Sequence, residues 1–163
     1  MILIGIGANL PGPDGQAPRE SCEQAAEALR GLSGLRLEAL SRWWQSAPIP
    51  PLPGAPWFVN GVARLEGDRP AREVLDALHA IEDRFARARP YPNAPRTLDL
   101  DLLDAGGALS DDPRLLLPHP RMHLRGFVLR PLAEVAPGWL HPRLGVTVEA
   151  LAAGLPPQEV EPL

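Results

Sequence analysis

The chain has 163 residues, a formal net charge of -4, and 45% hydrophobic and 22% charged residues. This length suits a globular chain with a sizeable core, and we expect residues 1–163 to form a single domain. All 16 basic residues are arginine, which excludes the lysine-dependent phosphate loop, the protein-kinase lysine and Schiff-base chemistry. The negative net charge argues against nucleic acid as a partner, so any phosphate site must be local.

The cysteine content and the hydrophobic segments indicate the cellular compartment. The single cysteine, Cys22, permits no internal disulfide. The apolar start of the chain, MILIGIGANL, lacks a basic region and ends after about ten residues, so we interpret it as a strand rather than a signal peptide. No segment reaches the roughly 18 apolar residues of a membrane-spanning helix. We therefore expect a cytoplasmic protein without membrane association. A monomer is the expectation for the assembly, with an oligomer as the alternative.

The first half of the chain predicts three strands around one helix. A short β-branched run predicts a strand at residues 2–7, and the proline and acidic residues that follow predict a helix at 18–30. Further strands are expected at residues 36–45 and 57–66. The segment between them, SAPIPPLPGAP, has too many prolines for ladder hydrogen bonds, so we expect an extended loop.

The second half predicts a helix, a strand and two shorter helices. An apolar stripe at helical spacing predicts a helix at residues 70–85, and RTLDLDLL, residues 96–103, predicts the next strand. Further helices are expected through VLRPLAEVA and, more weakly, at residues 146–153, whereas GLPPQEVEPL at the end is expected to be a frayed tail. The order β-α-β-β-α-β predicts a ferredoxin-like α/β fold, with a mainly antiparallel sheet, helices on one face and an active site on the open face.

The segment RTLDLDLL places two carboxylates at alternate positions of a strand. Alternation would put Leu98, Leu100 and Leu102 on one face and Asp99 and Asp101 on the other, with the Cα atoms of the two acids about 6.6 Å apart. Such a pair could hold one or two magnesium ions bound to substrate phosphates. The alternative is that the acids are simply the solvated side of an amphipathic strand.

Two basic segments flank this acid pair. Residues 84–96 contain four arginines and no acid, and residues 114–130 contain four more arginines with two histidines. A clustered positive charge beside a carboxylate pair favours a phosphate site over the alternative of solvated loop charge. The strand WFVNGVARL also puts Phe58 and Asn60 on one face, where an aromatic ring beside an amide would suit a flat heterocycle. Core packing with a stray polar group is the alternative for that pair.

Two other patterns carry less weight. GIGANL lacks the third glycine of a dinucleotide-binding fingerprint. His119 and His123 have the spacing of zinc ligands, but the prolines around His119 disfavour the helix that would align them.

Taken together, the segments GIGANL, FVNGVARLE, IEDRFAR, APRTLDLDLL and LPHPRMHLRGFVLRPLAEVAP strongly resemble the 6-hydroxymethyl-7,8-dihydropterin pyrophosphokinase family of folate biosynthesis. They occur in the family's order over nearly the whole chain. The resemblance implies the ferredoxin-like fold and transfer of the β,γ-pyrophosphoryl unit of ATP to the pterin hydroxymethyl group, with release of AMP. It also implies that ATP and the pterin are the partners.

The same resemblance implies a role for each matching residue. Asp99 and Asp101 would bind two magnesium ions, and Arg87 and Arg96 would offset charge during transfer. The ATP-binding residues implied in this way are His79, Glu82, Arg89, Leu102, Arg114, His119 and Arg125. The pterin-binding residues implied in this way are Ser46, Ala47, Ile49, Phe58, Asn60 and Phe127.

Two other functions are also compatible with these residues. A sensing module on the same fold would bind a nucleotide or pterin without turnover, but it would have no need of both aspartates beside Arg96. A magnesium-dependent phosphohydrolase would consume ATP without any pterin.

Overall fold

The computed structural model describes residues 1–85 and 97–163. Within these residues an antiparallel sheet carries helices on both faces, and a two-stranded hairpin lies beside it. The elements in chain order are β1 (Ile2–Ala8), α1 (Pro18–Arg30), β2 (Leu35–Leu40), β3 (Trp44–Ser46), β4 (Phe58–Gly67), α2 (Ala71–Phe85), β5 (Asp99–Ala105), β6 (Ser110–Asp112), β7 (Leu115–Leu117), a 3-10 helix (Met122–Leu124), α3 (Gly126–Val135), α4 (Val148–Ala153) and β8 (Val160–Pro162).

The strand order confirms the predicted ferredoxin-like core. The main sheet runs β5-β1-β4-β3-β8, and β2 pairs with β4 on the same edge as β3 but farther along the strand. If β2 and β3 are taken as one broken strand, the order is that of a βαββαβ unit. All four predicted helices begin and end within two residues of their expected bounds.

Helices α1 and α2 cover one face of the sheet, as predicted. The strands supply alternate apolar residues to this layer, among them Leu100 and Leu102 of β5. Cys22 of α1 is fully buried here, beneath β4, and its thiol points at the carbonyl oxygen of Val59. Burial raises the pKa of the Cys22 thiol to about 12, so this cysteine is a core residue without thiolate chemistry.

Helices α3 and α4 cover part of the opposite face. They pack on a second apolar cluster to which β1, β4 and β5 contribute Leu3, Val62 and Leu103, respectively. The end of the sheet that carries Asp99 and Asn60 lies outside this cluster, so a cleft remains at the edge of α3. No described helix is both long enough and apolar enough to cross a membrane.

A bulge in β5 changes the direction of one buried carboxylate. Leu3 of β1 pairs with Asp104, whereas its neighbour Ile4 pairs with Leu102, so Leu103 is the extra residue. Asp104 consequently shares a face with Leu3, where its carboxylate accepts hydrogen bonds from Trp139 Nε1 at 3.1 Å and Gly107 N at 3.2 Å. These bonds offset the cost of burying the charge.

The strand predicted at residues 36–45 is wrong in one respect, because it is broken into β2 and β3. At the break, the Ser41 hydroxyl donates to Arg42 O and accepts from Val62 N, so a side chain replaces a ladder carbonyl. The ring of Trp43 then lies over the backbone of Gly61, where any Cβ atom would meet it at 2.5 Å. Tertiary packing therefore ends the ladder where strand propensity would continue it.

The expectation of a frayed C-terminal tail is also wrong. Residues 160–162 form β8, which pairs with β3 from Trp44 opposite Pro162 to Ser46 opposite Val160. The prolines of this segment are confined to an edge strand and its approach, where they remove no internal ladder bond. The tail is therefore part of the sheet beside the cleft.

Candidate functional site

A cleft of about 220 Å³ opens on the part of the sheet face that α3 leaves uncovered. Strands β1, β4 and β5 form its floor, the end of β3 and the following loop form one wall, and the start of α3 forms the other. Its lining residues are Gly5, Ile6, Gly7, Ser46, Ala47, Ile49, Phe58, Asn60, Gly61, Asp99, Asp101, Arg125, Phe127 and Val128. Nine of the residues that the family resemblance implied are in this set.

The floor of the cleft is bare backbone between two polar groups. Gly7 of β1 pairs with Asp99 on one side and with Asn60 on the other, and Gly5 pairs with Asp101. Directly opposed residues of antiparallel strands point to the same face, so these side chains project into the cleft together. A Cβ atom at Gly7 would lie only 3.3 Å from Asn60 Nδ2. The glycine therefore leaves open the space between the acid pair and the amide.

The acid pair occupies one end of this floor. Asp99 and Asp101 are both half-buried, and the intervening Leu100 is buried in the opposite layer. The alternation inferred from the sequence is therefore confirmed for β5. Carboxylates in such a partly desolvated position attract a cation more strongly than they would in bulk water.

Two phenyl rings line the other part of the cleft. Phe58 comes from the start of β4 and Phe127 from the first turn of α3, and both are half-buried. The guanidinium carbon of Arg125 lies 5.5 Å from the centre of the Phe127 ring, which places a cation against that ring. Rings on two separate elements can take a flat heterocycle between them.

A buried hydrogen bond orients the amide of Asn60. The Ser46 hydroxyl donates to Asn60 Oδ1 at 2.6 Å, and both side chains are almost completely buried. With its oxygen engaged in this way, the amide presents Nδ2 over the backbone of Gly7. Ser46 thus fixes which polar group of Asn60 a ligand in the cleft would meet.

His119 lies close to the acid end of the cleft. Its main-chain nitrogen donates to Leu103 O at 2.9 Å, and its ring Nδ1 accepts from Arg121 N at 3.2 Å. Burial lowers the pKa of His119, the carboxylate of Asp101 opposes this change, and the cations Arg125 and Arg121 reinforce it. Because Nδ1 accepts a hydrogen bond, the neutral ring carries its proton on Nε2, where it can donate to an anionic ligand.

Four further predicted residues do not line the cleft. His79 is exposed on α2, and Glu82, on the same helix, is buried with its carboxylate accepting from Leu100 N at 3.0 Å. Leu102 is buried between the sheet and the helices. Arg114 lies in the turn between β6 and β7 with its side chain 81% exposed, and its nearest acid is Asp112. Their ATP-binding roles stay predictions.

Three predicted arginines, Arg87, Arg89 and Arg96, lie outside the described residues. The sequence reasoning also missed part of the cleft, namely Gly5, Gly7 and their neighbours in β1. A signal for them exists in the sequence, since glycines at alternate positions of a strand leave one face without side chains. The glycines can be assigned to a cleft only when β1 is known to pair with both β4 and β5.

The acid pair supplies the ligands that magnesium takes from proteins, but too few for zinc. Among the described residues there is no group of three or more His, Cys, Asp or Glu side chains that could hold a metal ion. That donor set does not fit a zinc site, which needs at least three protein ligands. It does fit magnesium, which usually takes one or two carboxylates and completes its shell with phosphate oxygens and water.

The fold and cleft together define a ferredoxin-like protein whose cleft has an acidic end, at Asp99 and Asp101, and an aromatic end at Phe58 and Phe127, called the ring-accepting end below. Comparison with known proteins agrees with this class. Residues 3–137 match the family model described as 7,8-dihydro-6-hydroxymethylpterin-pyrophosphokinase (HPPK).

Two relatives support the same assignment. A 2-amino-4-hydroxy-6-hydroxymethyldihydropteridine pyrophosphokinase of Pseudomonas aeruginosa is 43% identical over 136 residues, covering 83% of this chain and 80% of the relative. The protein of the same name from Synechocystis is 39% identical over 147 residues, covering 90% of this chain and 71% of the relative. The chain therefore belongs to the 7,8-dihydro-6-hydroxymethylpterin-pyrophosphokinase family.

The fold is also found among solved structures. A crystal structure of Plasmodium falciparum HPPK-DHPS with pteroate has a TM-score of 0.64 to this chain at 11% sequence identity. The match covers 93% of this chain but only 41% of the Plasmodium chain, so the present chain spans less than half of that protein. At this identity the likeness supports the fold alone.

The Ser46–Asn60 hydrogen bond gives a testable stability difference. We expect Ser46→Ala to lower the free energy of unfolding by about 1–3 kcal/mol, because it leaves Asn60 Oδ1 buried without its hydroxyl donor. Equilibrium urea denaturation measures the change. Ser33→Ala, at an exposed position of the α1–β2 turn, is the matched control and should stay close to wild type. A Ser46→Ala protein as stable as the control would contradict the contribution assigned to this bond.

Proposed function

We propose that this chain transfers the β,γ-pyrophosphoryl unit of ATP to the hydroxymethyl oxygen of 6-hydroxymethyl-7,8-dihydropterin. The observation that carries the proposal is that the acid pair and the ring-accepting end share one cleft in a member of the pyrophosphokinase family. The new bond joins the hydroxymethyl oxygen to the β-phosphorus, and the bond from that phosphorus to the α,β-bridging oxygen breaks. The products are the pterin diphosphate and AMP.

The aromatic end of the cleft accounts for pterin recognition. The bicyclic ring would stack between Phe58 and Phe127, and Asn60 Nδ2 would donate to an acceptor on its edge. Ala47 and Ile49 of the adjoining loop would add main-chain contacts. In this arrangement Ser46 contributes indirectly, by holding the amide of Asn60 in the orientation that the ring edge requires.

The acid end of the cleft would bind the triphosphate of ATP. Asp99 and Asp101 would hold two magnesium ions, which when bound neutralise phosphate charge and polarise the phosphorus under attack. Arg125 and the neutral ring of His119 would contact phosphate oxygens from the side of α3. Arg87 and Arg96 would add charge during transfer, and Arg89 would support them. His79, Glu82, Leu102 and Arg114 would complete the nucleotide site.

Positioning of the two substrates is the main catalytic contribution of this chain to the proposed reaction. Phosphoryl-type transfer depends on alignment and on charge stabilisation rather than on covalent help from the protein. The bare floor at Gly5 and Gly7 lets the hydroxymethyl group of a pterin above Asn60 reach a phosphate held beside Asp99. Asp99 and Asp101 are the carboxylates that line the described cleft, so the hydroxyl proton leaves to one of them or to water.

The proposal is tested by following nucleotide products. Protein incubated with magnesium, ATP and the hydroxymethyl pterin should form AMP and pterin diphosphate in equal amounts, as measured by chromatography. Reactions without pterin, and reactions with a magnesium chelator, are the controls and should form no AMP. Formation of ADP or of free phosphate without pterin would instead favour the phosphohydrolase, and stable binding without turnover would favour the sensing module.

Charge removal at the acid pair tests the metal assignment. We expect Asp99→Asn and Asp101→Asn each to lower kcat/KM by about a hundredfold or more, because each removes a carboxylate ligand from a site built on two. Both variants should keep the thermal midpoint close to wild type. Asp111→Asn is the matched control, since its carboxylate is 89% exposed and pairs with Arg143 away from the cleft. Near-normal rates in both acid variants would return Asp99 and Asp101 to the role of a solvated strand face.

A further inference from the structure

The start of α3 is held by a residue from the far end of the chain. Gln158 Oε1 accepts from the main-chain nitrogen of Gly126 at 2.9 Å, and Gln158 Nε2 donates to the carbonyl oxygen of Leu124 at 3.1 Å. One amide therefore bonds to the backbone on both sides of Arg125. Gln158 lies outside residues 3–137, which the family model matches, whereas its partners Leu124 and Gly126 lie within them.

The first turn of α3 needs such a partner. The first N–H groups of any helix lack an acceptor within the helix, and a side chain at the N-cap position usually supplies one. Here the N-cap residue is Arg125, whose guanidinium has donors only, and it makes no capping hydrogen bond. Gln158 supplies the acceptor from another segment. Gly126 makes this possible, since a Cβ atom there would lie 2.9 Å from Gln158 Oε1.

The residues held in this way belong to the cleft. Arg125 and Phe127 lie on either side of Gly126, and both line the cleft. The cation–ring contact at 5.5 Å links them to each other. A shift of this turn would consequently move the ring that faces Phe58 and the cation at the edge of the acid end.

The same tail also holds the opposite wall. Glu159 O accepts from Ala47 N at 3.1 Å, and Val160 of β8 pairs with Ser46 of β3. Ser46 in turn orients Asn60. Within three consecutive residues the tail thus contacts both walls of the ring-accepting end, and none of these contacts reaches the acid pair.

We propose that Gln158 is a positioning residue for the pterin half of the cleft, with residues 158–160 acting as a strap that sets the spacing between its two walls. This inference rests on the proposed function for the identity of the ligand. The strap acts through Phe127 and Arg125 on one wall and through Ser46 and Ala47 on the other. Among the groups proposed to contact phosphate the strap reaches only Arg125, whose long side chain can adjust to a small shift of its backbone. The strap therefore chiefly sets the pterin side, and the metal ligands Asp99 and Asp101 on β5 lie outside its reach.

The test compares Michaelis constants for the two substrates. Gln158→Leu keeps the side-chain volume and removes both hydrogen bonds. We expect the KM for the pterin to rise about tenfold, because the loss of a partly buried hydrogen bond that holds the first turn of α3 has an effect of that order, while the KM for ATP stays within about twofold. Direct titration of the pterin, without ATP, should show a similar loss of affinity.

A second variant disturbs the same contact at Gly126, the partner of Gln158. Gly126→Ala leaves Gln158 intact but puts a methyl group against its Oε1, so we expect the same selective rise in the KM for the pterin. The double variant should be no worse than the poorer single variant, since both remove one interaction. Glu161→Ala is the control from the same tail, because its side chain bonds to Gln45 at 2.7 Å on an exposed surface, and its Michaelis constants should match wild type.

The possible results separate the two proposals. A wild-type chain without pterin-dependent AMP formation would overturn the proposed function, and the inference would fall with it. An active wild-type chain whose Gln158→Leu and Gly126→Ala variants keep the wild-type KM for the pterin would overturn the inference alone. An equal rise in both Michaelis constants, or a loss of activity that only follows the folded fraction, would also overturn it, since a merely structural role predicts that result.

Discussion

The cleft depends on the register that places Gly7 between Asp99 and Asn60. Three adjacent strands contribute one residue each to this row, and the middle residue has no side chain. The acid and the amide are therefore separated by open backbone, which allows two ligands to meet there. A slip of one residue between any two of these strands would send the side chains of one strand to the face that α1 and α2 cover. The site and the hydrophobic core therefore depend on the same register.

The rest of the structure keeps this row accessible from one side only. Helices α1 and α2 bury the opposite face, and α3 covers the shared face up to Leu3, Val62 and Leu103. The cleft is thus the part of an otherwise covered sheet that α3 does not reach. Because α3 begins at the cleft edge, the contacts that hold its first turn also decide the shape of the ring-accepting wall. Glu134, farther along α3, attaches the helix to β3 by accepting from Trp44 Nε1 at 2.9 Å.

Local pattern and long-range pairing explain what could be predicted from the sequence. The period of two along β5 is local, so the opposed faces of Leu100 and Asp101 were predicted correctly, as were the helices with clear apolar stripes. The direction of Asp104 depends on a bulge against β1, and β8 exists only because β3 offers an edge, so neither could be predicted from local pattern. Gln158 is a polar residue in a proline-rich tail, and its role is visible only once α3 and the tail are seen in contact.

The proposed function requires one cleft to hold the pterin and the triphosphate side by side over Gly5 and Gly7. A crystal structure with magnesium, the hydroxymethyl pterin and an ATP analogue with a methylene group between the α- and β-phosphorus tests it most directly, because that analogue cannot release AMP. We expect a pterin ring between Phe58 and Phe127, and magnesium on Asp99 and Asp101. A ring bound elsewhere, or magnesium held by other side chains, would contradict it.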